Sequence, residues 1–283
     1  MYSTDCKIER RKIMIIDSHA HIGKILKFNM KTDELLYSME KYGVDFSLFS
    51  NIEGAEFSHS GIKVPFFLTK KQNKLLKNSI AEARKAPDKL GVLVWCKLHS
   101  ESPDNEFRQL IKDNRDIIYG LKFHPFHSLT SPDSDNAEPF YEIAEEFNLP
   151  VVSHTGGCEL AMSEHLYRAA EKHPDINFVM VHMDLGTDNR DALEYLGMLP
   201  NLYGDTTWVP IKTTVEAIRR YGSKKMLFGT DNPIDGKDTL LMNKTGDRSI
   251  YQEYFNELRD MITPDEYDDL MYRNAQKLFG IKL

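Results

Sequence analysis

Short β-branched or aromatic runs alternate with longer amphipathic stretches from one end of the chain to the other. The apolar runs fall at 13–18, 44–50, 91–97, 117–123, 150–153, 176–181, 201–205 and 225–230. Most are continuous rather than alternating, the pattern of parallel strands covered on both faces. Between them, apolar positions recur at helical spacing. Thr32-Asp33-Glu34 opens one such stretch with a cap and early acids, and Gly43 ends it. Further helical patterns cover 72–86, 107–113, 140–147, 160–172, 190–196, 215–221 and 251–261. Thr263-Pro264-Asp265-Glu266 then starts a last amphipathic helix over 265–279, with a cap, a proline in the first turn and acids at the positive end of the helix dipole.

Eight strand–helix units predict an α/β fold, a (β/α)8 TIM barrel. The expected organisation is a single domain over 1–283, with a polar N-terminal arm at 1–12 and a C-terminal helix. A doubly wound open sheet is the competing arrangement of the same pattern. No linker rich in Pro, Gly or Ser divides the chain, and no repeat occurs at a solenoid period. The stretches 53–70 and 240–249 are long for strand-to-helix connections. Both follow strands, so in a barrel both lie over the catalytic face.

Composition narrows the function classes. Of 283 residues, 41% are hydrophobic and 28% charged, which supplies a sizeable core and excludes a disordered chain. The balance of 36 Lys+Arg against 43 Asp+Glu gives −7, which repels polyanions and sets nucleic acid aside as a partner. Cys6, Cys96 and Cys158 are too scattered for a disulfide framework and fit a reducing compartment. The first apolar stretch, 13–16, is too short for a secretory signal, and no run approaches the ~18 residues of a membrane span. The expectation is a cytoplasmic protein that acts on a small molecule without touching a membrane. Loops over the mouth could meet those of a second copy, which leaves a homo-oligomer open.

Six predicted strands end in polar groups that a buried strand does not need. The first ends Asp17-Ser18-His19-Ala20-His21, the fourth Lys122-Phe123-His124, the fifth Ser153-His154-Thr155 and the sixth His182-Met183-Asp184. The seventh ends Asp205-Thr206-Thr207-Trp208 and the eighth Thr230-Asp231-Asn232-Pro233. Taken singly each has a structural explanation: a satisfied strand-end histidine, or a turn at Asp231-Asn232-Pro233. Taken together they converge on one mouth of a barrel.

The spacing suits metal chemistry. Residues two apart on a strand share a face, so His19 and His21 point inward and Ala20 away. Two imidazoles on neighbouring rungs grip a divalent cation at about 2.0–2.1 Å each. His154 supplies a third nitrogen from across the barrel and Asp231 a hard oxygen. Histidine and carboxylate without thiolate suit one Zn²⁺, with Fe²⁺, Mn²⁺ and Co²⁺ as alternatives. Such a metal lowers the pKa of a bound water to about 7. Asp231 then binds the metal, accepts the proton, or does both in sequence, while His182 orients the water or polarises a substrate carbonyl.

This constellation, His19-x-His21, His154, His182 and Asp231 in that order, resembles the amidohydrolase superfamily of metal-dependent barrel enzymes. The finer resemblance is to the amidohydrolase-related branch that includes aminocarboxymuconate-semialdehyde decarboxylase and other nonoxidative decarboxylases. It is carried by Ile16-Asp17-Ser18-His19-Ala20-His21-Ile22-Gly23, by Gly120-Leu121-Lys122-Phe123-His124-Pro125, by Gly229-Thr230-Asp231 and by the closing Asn274-Ala275-Gln276-Lys277-Leu278-Phe279-Gly280, across 13–281. The resemblance implies His19, His21, His154 and Asp231 as metal ligands and His182 as a catalytic neighbour. Two-metal members carry a carboxylated lysine or a glutamate on strand four, and Lys122 sits near that place. The decarboxylase-like branch generally manages with one metal, so the preferred expectation for Lys122 is an ammonium paired with Asp17 or with a substrate carboxylate. His124 is expected to line the pocket. TatD-type nucleases share the His-x-His start, but they resemble one another in a strand-four acid that this chain lacks. Asp205 is expected to hydrogen-bond around the mouth, Trp208 to stack on substrate or pack, and Cys158 to be an ordinary packing residue.

The first functional expectation is hydrolysis of an ester, lactone or amide by a metal-activated water, with Asp231 moving the proton to the leaving group. The alternative is nonoxidative decarboxylation of an unsaturated acid, which wants a cationic clamp for the carboxylate. Lys122 is a candidate, but no arginine ends a strand, since Arg219, Arg220 and Arg273 fall in helical stretches. That absence favours hydrolysis. A barrel reduced to a binding module is disfavoured by the intact ligand set.

Overall fold

The structure is a computed structural model that describes residues 13–233 and 250–283. In chain order it contains β1 (Ile16–Ile25), β2 (Phe28–Met30), α1 (Thr32–Tyr42), β3 (Phe46–Asn51), α2 (Gln72–Ala83), β4 (Leu90–Trp95) and α3 (Asn105–Asp113). Next come β5 (Ile118–Phe123), α4 (Pro125–Ser128), α5 (Glu138–Phe147), β6 (Val151–Gly156), α6 (Ser163–Lys172), β7 (Phe178–Leu185) and α7 (Arg190–Met198). The order closes with β8 (Leu202–Asp205), α8 (Ile211–Tyr221), β9 (Met226–Leu227), α9 (Ile250–Phe255), α10 (Pro264–Asp268) and α11 (Asn274–Phe279). The expected 1–12 arm, the 240–249 insert and Cys6 lie outside the described residues.

The strands form one sheet in the order β2-β1-β3-β4-β5-β6-β7-β8-β9. From β1 through β3 to β9 each neighbouring pair is parallel. The sheet then closes: Ser18 N–H donates to the Phe228 carbonyl (2.9 Å), Asp231 N–H to His19 (2.8 Å) and His21 N–H to Asn232 (2.7 Å). Eight parallel strands closed in this way are the expected (β/α)8 barrel, and the open sheet is excluded.

Three elements depart from the sequence pattern. β1 runs on to Ile25 because it turns at Leu26 and pairs antiparallel with β2, Gly23 facing Met30. His19 and His21 therefore lie inside a strand rather than just beyond one. β9 is only two residues long, and the barrel seam is made by the loop after it. The last helix is interrupted by a π-helical turn at Asp269–Arg273. There the Leu270 carbonyl accepts the Phe228 N–H (3.0 Å), so the irregularity ties the C-terminal segment to the barrel.

Inside the barrel Ile16, Phe46, Leu48, Leu93, Val152, Val179, Val181 and Leu227 form an apolar layer, closed below by Ala275, Phe279 and Ile281. A larger layer between sheet and helices includes Ala20, Phe49, Val94, Leu121, Phe123, Val151, Phe178 and Met180. Because side chains alternate along a strand, the inward position two residues beyond Leu48 is Ser50, and that beyond Val152 is His154. The interior thus changes from apolar to polar towards the carboxyl ends of the strands. In β1 the register slips between Asp17 and Ala20, which lets Ile16 and His19, three residues apart, both face the interior.

Candidate active site

His19 and His21 meet directly: their Nε2 atoms are 3.0 Å apart. Asp231 Oδ1 lies 3.0 Å from His21 Nε2 and 3.7 Å from His19 Nε2. His182 joins them, since one donor atom each of His19, His182 and Asp231 falls within 4.8 Å of the others. All four side chains are buried.

Hydrogen bonds assign the tautomers. His182 Nδ1 donates to the Thr207 carbonyl (3.2 Å), which leaves its Nε2 with a free lone pair. The Thr207 hydroxyl donates to Asp205 Oδ2 (2.8 Å) and faces His19 Nδ1 (3.4 Å), with Asp205 Oδ2 also 3.5 Å from that nitrogen. His19 therefore carries its proton on Nδ1 and turns the Nε2 lone pair towards His21 and Asp231. Ser50 Oγ lies 2.9 Å from His21 Nδ1. Trp208 Nε1–H donates to Asp231 Oδ2 (2.9 Å), leaving Oδ1 facing the imidazoles. These outer partners orient the inner donors.

Electrostatics favour the same states. Burial, reinforced by Lys122 and the neighbouring histidines, holds His19 well below the ordinary imidazole range, and burial pushes His182 down to about 4. Both rings are neutral near pH 7, as a metal ligand must be. Burial alone would raise Asp231, but the hydrogen bond it accepts from His21, the electrostatic attraction of the neighbouring imidazoles and the Trp208 N–H bring it below the usual carboxylate value. Neutral imidazole lone pairs beside one anionic oxygen are a donor set that fits a divalent cation.

The remaining expected site residues surround this cluster. His154 stands behind His182, ring centroids 4.7 Å apart, with its Nε2 3.2 Å from the Gly156 carbonyl. It is not part of the tight donor group. His124 stacks between His154 (4.2 Å) and Trp95 (5.1 Å), and its Nδ1 is buried without a partner. Asp205 bonds around the mouth as expected, accepting from His182 N–H (2.9 Å) and Thr207 N–H (3.1 Å), and burial lifts it to about 7. Cys158 is half-buried, with burial pushing its thiol up.

One of the two partners expected for Lys122 is corrected. The lysine does not pair with Asp17: its Nζ lies 3.1 Å from His19 Nε2, fully buried, and burial lowers it to about 8 against the attraction of Asp231 and Asp205. Asp17 is instead a seam residue, accepting from His19 N–H (3.0 Å) and the Thr230 hydroxyl (2.5 Å), and burial lifts it to about 8. Among the described residues no carboxylate forms an ion pair with Lys122 within 4.0 Å.

Sequence reasoning missed Ser50, Thr207 and the indole donor of Trp208, because each acts through a residue distant in the chain. It also missed a left-handed run. His182, Met183 and Asp184 all have positive φ (71°, 47°, 69°), and this turns His182 into the mouth although its neighbour Val181 already faces the core. The run is held by Asn189 Nδ2–H on the Met183 carbonyl (2.6 Å) and by Ser163 on Asp184 (N–H 2.7 Å, hydroxyl 2.5 Å).

Fold and site together define a closed α/β barrel with a buried imidazole–carboxylate centre at the carboxyl ends of its strands. The chain belongs to the amidohydrolase family, whose model matches residues 16–281, and it is an enzyme of the amidohydrolase superfamily. No curated protein matches it in sequence. Among solved structures it is similar to 2,6-dihydroxybenzoate decarboxylase from Rhizobium, at TM-score 0.68 and 15% identity over 95% of this chain and 99% of that one. A 5-carboxyvanillate decarboxylase from Novosphingobium aromaticivorans, with bound manganese and 3-methoxy-4-hydroxy-5-nitrobenzoic acid, aligns at TM-score 0.71 and 10% identity over 96% and 98%. A probable 2-pyrone-4,6-dicarboxylic acid hydrolase from Acinetobacter baumannii, with citric acid bound, aligns at TM-score 0.63 and 14% identity over 94% and 99%. At such identities these likenesses establish the fold. No helix of the described residues is long and apolar enough to cross a membrane.

Proposed function

We propose that the chain is a metal-dependent carbon–carbon lyase that removes CO₂ from a small unsaturated carboxylic acid without an oxidant. The observation that carries this reading is Lys122, an ammonium buried beside His19 with no carboxylate bonded to it among the described residues. A buried cation is costly unless an anion meets it, and a substrate carboxylate would serve. The expectation of hydrolysis rested on the lack of an arginine at a strand end. A buried lysine in the mouth removes that reason, and two of the structural neighbours named above are decarboxylases of aromatic acids.

The proposed cation-holding residues are His19, His21 and Asp231, with His154 as the further ligand that the family resemblance implies and His182, which belongs to the tight donor group, as the catalytic neighbour. When bound, the cation supplies Lewis acidity that draws electron density from the substrate's oxygens. Zinc is favoured by the donor set, and manganese is the ion bound in the 5-carboxyvanillate decarboxylase. Lys122 Nζ binds the departing carboxylate, and His124 with Trp95 offers a flat wall against an unsaturated ring. In sequence with its role at the cation, Asp231 accepts a proton from the substrate hydroxyl or from water and delivers it to the carbon bearing the carboxylate. His182 Nε2, uncharged and unpartnered by Thr207, accepts a hydrogen bond from the substrate. The carbon–carbon bond then breaks, its electron pair restores the unsaturated system, and CO₂ leaves. The burial of these groups excludes bulk water from that step.

Hydrolysis by the same groups is the second reading, and the pyrone hydrolase on the same fold supports it. The test is incubation of protein purified without chelator with a panel of unsaturated carboxylic acids and lactones in H₂¹⁸O and in D₂O. Decarboxylation gives CO₂ and a product carrying one solvent deuteron on carbon. An ¹⁸O-labelled acid formed without CO₂ would overturn it in favour of hydrolysis.

A further inference from the structure

We propose that Trp208 positions Asp231: its indole N–H occupies one carboxylate oxygen and leaves the other as the single oxygen aimed at His19 and His21. This rests on the metal-centre reading above and concerns a residue that does not itself touch the cation.

The indole nitrogen donates and cannot accept, so its 2.9 Å contact commits Asp231 Oδ2 outward. Oδ1 is then the oxygen within 3.0 Å of His21 Nε2 and 3.7 Å of His19 Nε2. No other hydrogen bond among those of the described residues reaches Oδ2. Lys122, whose Nζ lies 3.1 Å from His19 Nε2, attracts the same carboxylate, so an untethered Asp231 would have a competing partner towards which to turn.

The two loops that carry this pair are locked together. Trp208 and Asp231 both hold left-handed backbone, φ 59° and 60°, a conformation that residues with a Cβ adopt only when their surroundings impose it. The Thr206 hydroxyl donates to the Gly229 carbonyl (3.1 Å), and the Gly229 N–H donates back to Thr206 Oγ1 (3.0 Å). Gly229 has no room for a side chain there, because a Cβ would stand 2.7 Å from Thr207 Oγ1 and Asp205 Oδ2. Val209 N–H closes a turn on Thr206 (3.1 Å), and Asp231 N–H is bound to the His19 carbonyl (2.8 Å). The chain thus sets the indole at hydrogen-bond distance from a carboxylate 23 residues away.

The test compares the whole protein with Trp208→Phe and with a form carrying 3-benzothienylalanine at position 208, which keeps the shape of the indole and replaces N–H by sulfur. Chelator-treated proteins are titrated with Mn²⁺ by calorimetry, and their melting midpoints are measured without metal. Wild type is expected to take up one Mn²⁺ per chain, and both altered proteins to bind it about 10- to 100-fold more weakly, the loss typical of an outer partner of a ligand, with unchanged metal-free midpoints. The chain has 2 Trp, so an indole ¹H–¹⁵N spectrum shows two signals; the one missing from Trp208→Phe is expected to move in Asp231→Asn. If Trp208→Phe does not fold, the isosteric form decides. Wild-type affinity in the benzothienyl protein would overturn the proposal while leaving the metal centre standing. Affinity lost only in step with a lowered metal-free midpoint would overturn it as well, by assigning Trp208 to packing. A wild type that takes up no Mn²⁺ removes the metal-centre reading and this proposal with it.

Discussion

Replacing Lys122 by methionine separates what this residue does for the fold from what it does for the substrate. Burial lowers the ammonium from 10.5 to about 8. The unfolded chain therefore holds this proton more tightly than the folded chain does. Between pH 8 and 10.5 the unfolded state binds more protons, so stability rises with pH through that window, and below pH 8 the full cost of the buried charge is present. At 1.36 kcal/mol per pH unit the difference corresponds to about 3 kcal/mol. Methionine has a similar unbranched shape and no charge to desolvate. Lys122→Met, treated with chelator, is expected to be more stable than wild type by about 3 kcal/mol at pH 7, a rise in melting midpoint on the order of 10 °C for a chain of this size. That advantage should shrink as pH approaches 10.5, where the wild-type amine is neutral in both states. Urea unfolding of both proteins at pH 7 and pH 10 measures it. The same variant should lose decarboxylation by at least about 100-fold, since the carboxylate loses its charged partner. A destabilised variant, or an advantage equal at both pH values, would refute the reasoning, because the ammonium would then not be a strained group awaiting an anion.

Other changes probe the centre and its supports. Asp231→Asn should abolish turnover in an assay of CO₂ release, while elemental analysis of folded protein should find His154→Asn stripped of metal and His182→Asn with most of it bound; loss of metal in His182→Asn and not in His154→Asn would exchange their roles. Asn189→Ala removes the donor on the Met183 carbonyl (2.6 Å) and should lower stability by about 1–3 kcal/mol in urea unfolding, with activity falling further than stability because His182 sits on the released turn. Phe46→Ala, in the layer beneath the site, should destabilise the barrel by about 3–5 kcal/mol by thermal unfolding.

Local burial leaves a periodic trace in the chain, and what followed from that trace was legible without coordinates. Continuous apolar runs separated by amphipathic stretches determined the barrel, the strand-end motifs carried the resemblance to the family, and the alternation of side chains determined that His19 and His21 share a face. Only the tertiary structure decided which groups meet across the barrel. The seam joins residue 231 to residue 19 through backbone hydrogen bonds, and no periodicity records a contact over that separation. The same seam gives Asp17 to Thr230 and leaves Lys122 against His19, so of the two expected partners of Lys122, Asp17 and a substrate carboxylate, the first is ruled out. The indole of Trp208 reads as a packing residue in one dimension. It becomes a carboxylate donor because two adjacent strands end at the same height, with left-handed turns that aim its N–H and Asp231 at each other.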